Sequence, residues 1–420
     1  MLANKIVKAI LLLLLISIIF LKRDYLLNLI NPPRLVTGPA VESSEIYQGI
    51  SYEPVNKNDY EINIVVDNLL SPTRVKITPD QKHLVVTQLT GEVVAFDRED
   101  EGWSKPYLLT KIDTKFPGFP PDEAGLVGIT FSRNYENNKK AFVLYTFKDK
   151  DKNVQNRISS FTVREKNEEL KASTPKLIFQ ANIKGNNSHQ ITDGISINLK
   201  GEDRLAFLIG EGFDAKRAQD PNLHAGKLMS IREDGTDPII HALGIRNGYS
   251  LTANPFDKEE RILISDTGPD KYDRLIYTNP FLSNTINFGW DGVQENLAKP
   301  IPDPNFPKVT DMVIFRYPET RTFTGLSFLS ENNVLVTLFG KTGFKDNTPG
   351  KQILVGKITN LETQPKITFS TLIKRVKESD GKLGNPLGME IDHKTNDFFF
   401  LDVIEGRLYQ VKSKVKGVSN

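Results

Sequence analysis

The chain has 420 residues, no cysteine, and 54 basic against 52 acidic residues, a formal charge of +2. The lack of cysteine excludes a disulfide framework and any thiolate metal site, and the balanced charge carries no electrostatic footprint for nucleic acid. A hydrophobic fraction of 39% with 25% charged residues is that of a globular protein with a substantial core.

The first element is apolar. Lys5 and Lys8 precede Ala9–Leu21, a Leu- and Ile-rich run broken only by Ser17, and Lys22-Arg23-Asp24 close it. Ile6, Val7 and snorkelling lysines extend its reach toward the roughly twenty residues that a membrane span needs. No small-x-small cleavage pattern follows directly, because Lys22, Arg23 and Asp24 occupy those places. Residues 1–30 therefore read first as an uncleaved signal anchor, a transmembrane helix. A cleaved signal peptide and a buried soluble helix are the alternatives. The first reading places the rest of the chain outside the cytoplasmic membrane, in the periplasm or beyond. Residues 31–59, from Asn31-Pro32-Pro33 onward, mix Pro, Gly, Ser and Glu without a period and read as a linker or a wrapping strap.

From residue 60 to 413 a unit recurs: an apolar segment, a polar turn, a β-rich strand, a loop and a third strand. The first copy is Arg74–Ile77, Leu84–Thr87 and Val93–Phe96, and the second is Gly128–Phe131, Ala141–Phe147 and Ile158–Val163. The third is Gly194–Leu199, Leu205–Ile209 and Lys227–Ile231, and the fourth Tyr249–Ala253, Ile262–Ser265 and Arg274–Tyr277. The fifth is Gly325–Leu329, Val334–Leu338 and Gln352–Ile358, and the sixth Leu387–Ile391, Phe398–Leu401 and Arg407–Val411. Each has period-two or continuous apolar character between turn formers, and helical periodicity is weak beyond the N-terminus. Six such copies predict an all-β fold, a six-bladed β-propeller with its loops gathered around a channel. A two-sheet sandwich or a pair of smaller β domains is the competing arrangement.

The copies carry phrases that resemble the glucose/sorbosone dehydrogenase family. They are Glu123-Ala124-Gly125-Leu126-Val127-Gly128, then Gly210-Glu211-Gly212-Phe213 with Ala218-Gln219-Asp220 and Gly226-Lys227. Leu243-Gly244-Ile245-Arg246-Asn247, Asp266-Thr267-Gly268-Pro269 through Asp273, and Asn287-Phe288-Gly289-Trp290 follow in the family's order. The resemblance implies a six-bladed propeller holding pyrroloquinoline quinone (PQQ) and Ca²⁺ on its axis, and oxidation of a small sugar or alcohol. It implies Arg246 against the quinone and Asn247 beside it, with Glu123 near the cofactor. The Gly268 and Pro269 carbonyls, with Asp273, would serve the ion. The family's catalytic His stands in a His-x-Gly-Gly phrase. Here the stretch is Ser188-His189-Gln190-Ile191-Thr192-Asp193-Gly194, so His189 is the candidate base and Thr192 the alternative occupant of the aligned place. Asn385 stands where some members present an Arg to the cofactor.

Each candidate has a plain structural alternative. Arg246 also suits a blade-to-blade ion pair, and Asn247-Gly248 is a ready turn. Gly268, Pro269 and Asp273 also suit a solvated surface turn, although carbonyls are good hard ligands for calcium. His189 has a side-chain type whose pKa suits proton transfer near neutrality. Lys351, with Lys341 and Lys345 as competitors, is placed to meet a cofactor carboxylate. His224, His241, Asp266 and Asp270 have no sharper assignment. No phosphate loop, zinc spacing or serine-nucleophile motif stands out. Two functions follow: a membrane-anchored PQQ-dependent sugar dehydrogenase that passes electrons to an unidentified acceptor, or a non-catalytic propeller that binds a glycan or a protein.

Overall fold

The computed structural model describes residues 50–414 apart from positions 101, 117–122, 152, 167–168, 184–187, 282–284, 299–311, 320, 341–349, 362 and 377–384. The expected N-terminal helix lies outside these residues, as do Lys341 and Lys345. Among the described residues no helix is long and apolar enough to cross a membrane.

The described chain is a six-bladed β-propeller. The inner strands are Pro72–Ile77, Leu126–Phe131, Ile191–Leu199, Gly248–Ala253, Phe323–Ser330 and Pro386–Asp392. Each pairs antiparallel with the strand that follows it, and that strand with the next, outward through the blade. All six predicted copies are blades.

Continuous apolar runs arise because a blade is packed on both faces. In the second strand of blade one, Val85 joins the layer shared with blade two, whereas Leu84 and Val86 join the layer shared with blade six. In blade two, Ala141, Val143 and Tyr145 face blade one, and Phe142 and Leu144 face blade three. Alternate side chains thus point to opposite neighbours, and both must be apolar. Six such layers, one at each blade interface and one of them joining blade six to blade one, close the ring.

Closure uses the start of the propeller. Tyr60–Val66 is the outermost strand of blade six, paired with Arg407–Ser413, and Tyr52–Pro54 adds an edge to blade five beside Lys366–Arg375. Pairing of the two ends of a ring in one sheet leaves no free seam to open. On the axis the buried Arg74 of blade one donates to the Thr324 carbonyl of blade five (2.8 Å) and to the Tyr249 carbonyl of blade four. It also pairs with Asp193 of blade three at 3.4 Å.

This topology fixes where loops go. Every inner strand starts, and every second strand ends, on the same face of the disc, so the loops that enter the inner strands and the loops between second and third strands gather there. Glu123, His189, Arg246, Asn247, Gly268, Pro269, Asp273 and Lys351 all stand in such loops or at their ends. The candidate residues therefore share one face although up to 228 positions separate them.

Candidate active site

The loop entering blade three begins the site. Asn156 of blade two donates to the Gln190 side chain (2.8 Å) and accepts from the Ile191 amide (2.6 Å), which pins the loop just after His189. His189 has a left-handed backbone, φ 55°, and its carbonyl accepts from the Gly212 amide at 3.0 Å. Gly210 makes this approach possible, because a Cβ there would lie 2.6 Å from the His189 carbonyl oxygen. The His189 side chain is buried. Its Nδ1 lies 3.3 Å from Oε1 of Glu211, and its amide donates to Oε2 of Glu123 at 3.2 Å.

Thr192 has a different place. Its hydroxyl donates to the Gly248 carbonyl within the ring, so His189, not Thr192, presents its side chain to the acidic cluster on the loop face.

Glu211 links two sides of the site. Its second oxygen accepts from the indole N–H of Trp290, and the Arg246 guanidinium lies 5.8 Å from the centre of that indole. Arg246 Nη1 donates to the carbonyls of Thr267 (2.8 Å) and Gly268 (3.1 Å). Burial pulls its pKa below the ordinary arginine value, while Glu211, Asp266, Asp273 and Glu123 push the other way. Glu123, His189, Glu211, Trp290, Arg246 and Gly268 thus form one string of contacts.

Beneath the string, the buried Asp266 positions Arg246 and Asn247 through their backbone. Its Oδ1 accepts from both amides, at 3.1 and 2.9 Å, and its Oδ2 pairs with Arg274 at 2.6 Å. Asn247 is buried, and its Oδ1, like Oγ1 of Thr267, has no hydrogen-bond partner among the described residues. Arg274, Glu211 and Trp290 were not singled out by residue type. Glu211 and Trp290 do stand inside the recognisable phrases Gly210-Glu211-Gly212 and Asn287-Phe288-Gly289-Trp290, which was the available signal.

Asp273 sits under the Gly268 loop. One oxygen accepts from the Gly268 amide (2.8 Å) and the other from the amides of Arg321 (2.5 Å) and Thr322 (2.6 Å). Burial raises its pKa to about 6 against those three bonds, with a smaller push from Asp266. Between about pH 4, the ordinary aspartate value, and about pH 6, the folded protein holds a proton that the unfolded chain has released. Stability is therefore expected to fall as pH rises through this window. Asp402, raised to about 6 by burial and then by Glu405, adds a slope of the same sign. Thermal melts of Asp273→Asn against wild type across this range isolate the first contribution: the wild type should lose more on going to neutral pH, and parallel curves would remove it.

The remaining candidates are accounted for singly. Pro269 is part-buried, Lys351 is buried on the blade-five side of the same face, and Asp270 is exposed. Asn385 is buried and donates to the Phe339 carbonyl at 2.9 Å, a tie between blades six and five. His241 contacts Ser230 at 2.8 Å, with its pKa lowered to about 4 by burial and then by Arg204. His224 packs against Phe179.

The loop face of the six-bladed propeller therefore holds a buried His–Glu pair and a guanidinium. The glucose/sorbosone dehydrogenase family model matches residues 69–333, and the chain belongs to that family. Its fold is similar to the soluble aldose sugar dehydrogenase of Escherichia coli in the apo form, with TM-score 0.63 and 16% identity over 84% of this chain and 100% of that one. It is also similar to the PQQ-bound aldose sugar dehydrogenase of Streptomyces coelicolor (TM-score 0.59, 16% identity, 86% and 100% covered). The PQQ domain of pyranose dehydrogenase from Coprinopsis cinerea is a third (TM-score 0.63, 10% identity, 86% and 97% covered). At these identities the likeness is one of fold. Comparison with curated sequences gives no match.

Proposed function

We propose that the protein is a quinoprotein-type dehydrogenase that oxidises the anomeric hydroxyl of an aldose or a related alcohol with PQQ. The observation that carries this reading is the string of contacts from His189 through Glu211 and Trp290 to Arg246, set in a chain of this family. It brings a candidate base and a fixed cation into one site.

The residues present fit PQQ, a flat group rich in acceptors and carboxylates. Arg246 offers the cation, and the unpartnered Oγ1–H of Thr267 is a buried donor that an acceptor of the bound group would satisfy. Lys351 is the residue for a cofactor carboxylate. When bound, PQQ supplies a two-electron acceptor. Glu211 holds the His189 Nδ1–H, which leaves Nε2 as the atom that takes the substrate hydroxyl proton. The resulting imidazolium is stabilised by the same carboxylate. Arg246 is placed to stabilise negative charge developing on an acceptor oxygen.

Calcium fits the described arrangement less well. The Gly268 carbonyl accepts from Arg246, and Asp273 commits both oxygens to backbone amides. Among the described residues no group of three or more His, Asp or Glu side chains forms a metal site. The Arg246 cation beside the Gly268 carbonyl, at 3.1 Å, opposes a second cation there, and no step is assigned to the ion. Arg246→Met is expected to bind Ca²⁺ more tightly than wild type when both lack PQQ, as measured by calorimetry. Equal or weaker binding would remove these carbonyls as an ion site.

The function itself is tested by adding PQQ and Ca²⁺ to the full chain, recording the absorbance spectrum and assaying dye reduction across an aldose panel. A PQQ spectral shift with sugar-dependent reduction supports the proposal. An unshifted spectrum with no reduction leaves the glycan- or protein-binding propeller. We further propose, from residues 1–30, that the propeller lies outside the cytoplasmic membrane. Extraction from washed membranes by detergent alone, with digestion by protease added to spheroplasts, is the expected result.

A further inference from the structure

We propose that a cleft at the far end of blade three is a second binding site, built for a small uncharged molecule with an apolar, ring-sized body and one carbonyl oxygen. The cleft has a volume of about 470 Å³, and His241 and Phe281 line it. It also takes in Lys200 and Asp237. These stand in the turns that join successive blade-three strands on the face opposite the candidate active site.

A relay of hydrogen bonds prepares one donor in the cleft. The buried Arg204 donates from Nε to the Ser230 hydroxyl at 3.0 Å. A guanidinium has donors only, so Ser230 Oγ accepts here and its own proton needs another acceptor. Ser230 is fully buried, and the other partner of its hydroxyl among the described residues is Nε2 of His241, at 2.8 Å. An unpaired hydroxyl proton inside the fold is costly, so the hydroxyl donates to Nε2 and the ring proton sits on Nδ1. That atom has no partner among the described residues, although His241 is only 6% exposed. Burial, then Arg204, lowers the ring's pKa to about 4, so the donor is uncharged at neutral pH. A largely desolvated N–H of fixed tautomer therefore lacks an acceptor.

The rest of the lining selects what brings that acceptor. Phe281 meets the imidazole edge to face, with ring centres 4.9 Å apart and planes at 85°. Leu199, Ile239 and Ile240 add part-buried apolar wall, so the body of the ligand is apolar. The lining charges cancel, Lys200 and Arg204 against Glu202 and Asp237. Both acids are already held, Glu202 by Arg232 at 2.9 Å and Asp237 by Arg204 at 2.8 Å. No net charge is left to hold an anion, and no unpaired carboxylate to hold a cation. A neutral carbonyl oxygen meets the Nδ1–H without either.

The test is a ligand-observed NMR titration of the full chain with acetophenone, toluene and benzoate, and it needs no turnover. Acetophenone is expected to bind with a Kd of about 1 mM, the scale for so small a ligand. Toluene, which lacks the oxygen, should bind about tenfold more weakly, the worth of one hydrogen bond, and benzoate more weakly than acetophenone. His241→Phe keeps a ring and removes the donor, so it should bring acetophenone down to the toluene level. Ile239→Trp fills the cleft and should abolish binding of both. Melting curves show that each variant is folded. A further readout uses wild type alone: spectra of protein labelled with ¹⁵N-histidine should show His241 protonated at Nδ1, its signals assigned by their loss in His241→Phe. Failure of acetophenone to bind, or equal binding of toluene, overturns the site. Benzoate binding as tightly as acetophenone overturns the uncharged ligand class, and a proton on Nε2 overturns the relay.

Discussion

His189→Gln is expected to lower aldose turnover by the PQQ-loaded protein about 10²–10⁴-fold, the range that a positioned general base supplies, while leaving the melting temperature nearly unchanged. Glutamine can retain a hydrogen bond to Glu211, but it cannot take a proton near neutral pH. The loss should appear in kcat, because the proton moves only in the transition state. Glu211→Gln should give a smaller loss. It leaves the imidazole in place and removes the carboxylate that fixes its tautomer and stabilises its charged form. Steady-state kinetics on the two variants and their double mutant check this: the paired loss should be far from additive if the residues act as one unit. Turnover of His189→Gln within threefold of wild type would take proton transfer away from this ring.

Arg274→Ala is expected to destabilise the folded protein by about 3–5 kcal/mol, the cost of stranding a buried charge. Arg274 and Asp266 are both buried, and they meet through two hydrogen bonds at 2.6 and 3.1 Å. Arg274 also donates to the carbonyls of Phe288 and Gly244, so its removal leaves a carboxylate and two acceptors without their partner. The effect should extend to the site, since Asp266 Oδ1 holds the amides of Arg246 and Asn247. PQQ affinity should therefore fall along with stability. Urea denaturation with a fitted slope measures the first effect, and spectroscopic PQQ titration the second. A shift below about 1 kcal/mol would mean that Asp266 has compensation outside this pair.

Arg246 and Asn247 were legible as a pair because Leu243-Gly244-Ile245-Arg246-Asn247 resembles a phrase of the family. Their setting was not legible. Asp266 has no sharper assignment from the sequence, yet it anchors both residues through their backbone. Phe213, inside a quoted phrase, stacks on His189, and nothing local distinguishes a loop phenylalanine that will do so. Glu211 and Trp290, 79 positions apart, meet only when the blade-three loop and the segment following blade four's third strand reach one face. Thr192 and His189 could not be separated by spacing, since the backbone turn at His189 decides which side chain faces the cluster.

The sequence by itself determined the strands and the number of blades. The continuous apolar character of segments such as Leu84–Val86 is imposed by a blade packed on both faces, and that constraint acts within a few residues. Tertiary structure alone decided how the ring closes and what the loops build. Tyr60–Val66 lies before the first inner strand, yet it completes blade six by pairing with Arg407–Ser413. Arg74 reaches Thr324 across 250 positions. Local preference carries no information over such separations. The backbone hydrogen bonds that close blade six, and the placing of distant loops on one face, come into being only when six twisted sheets have packed around an axis.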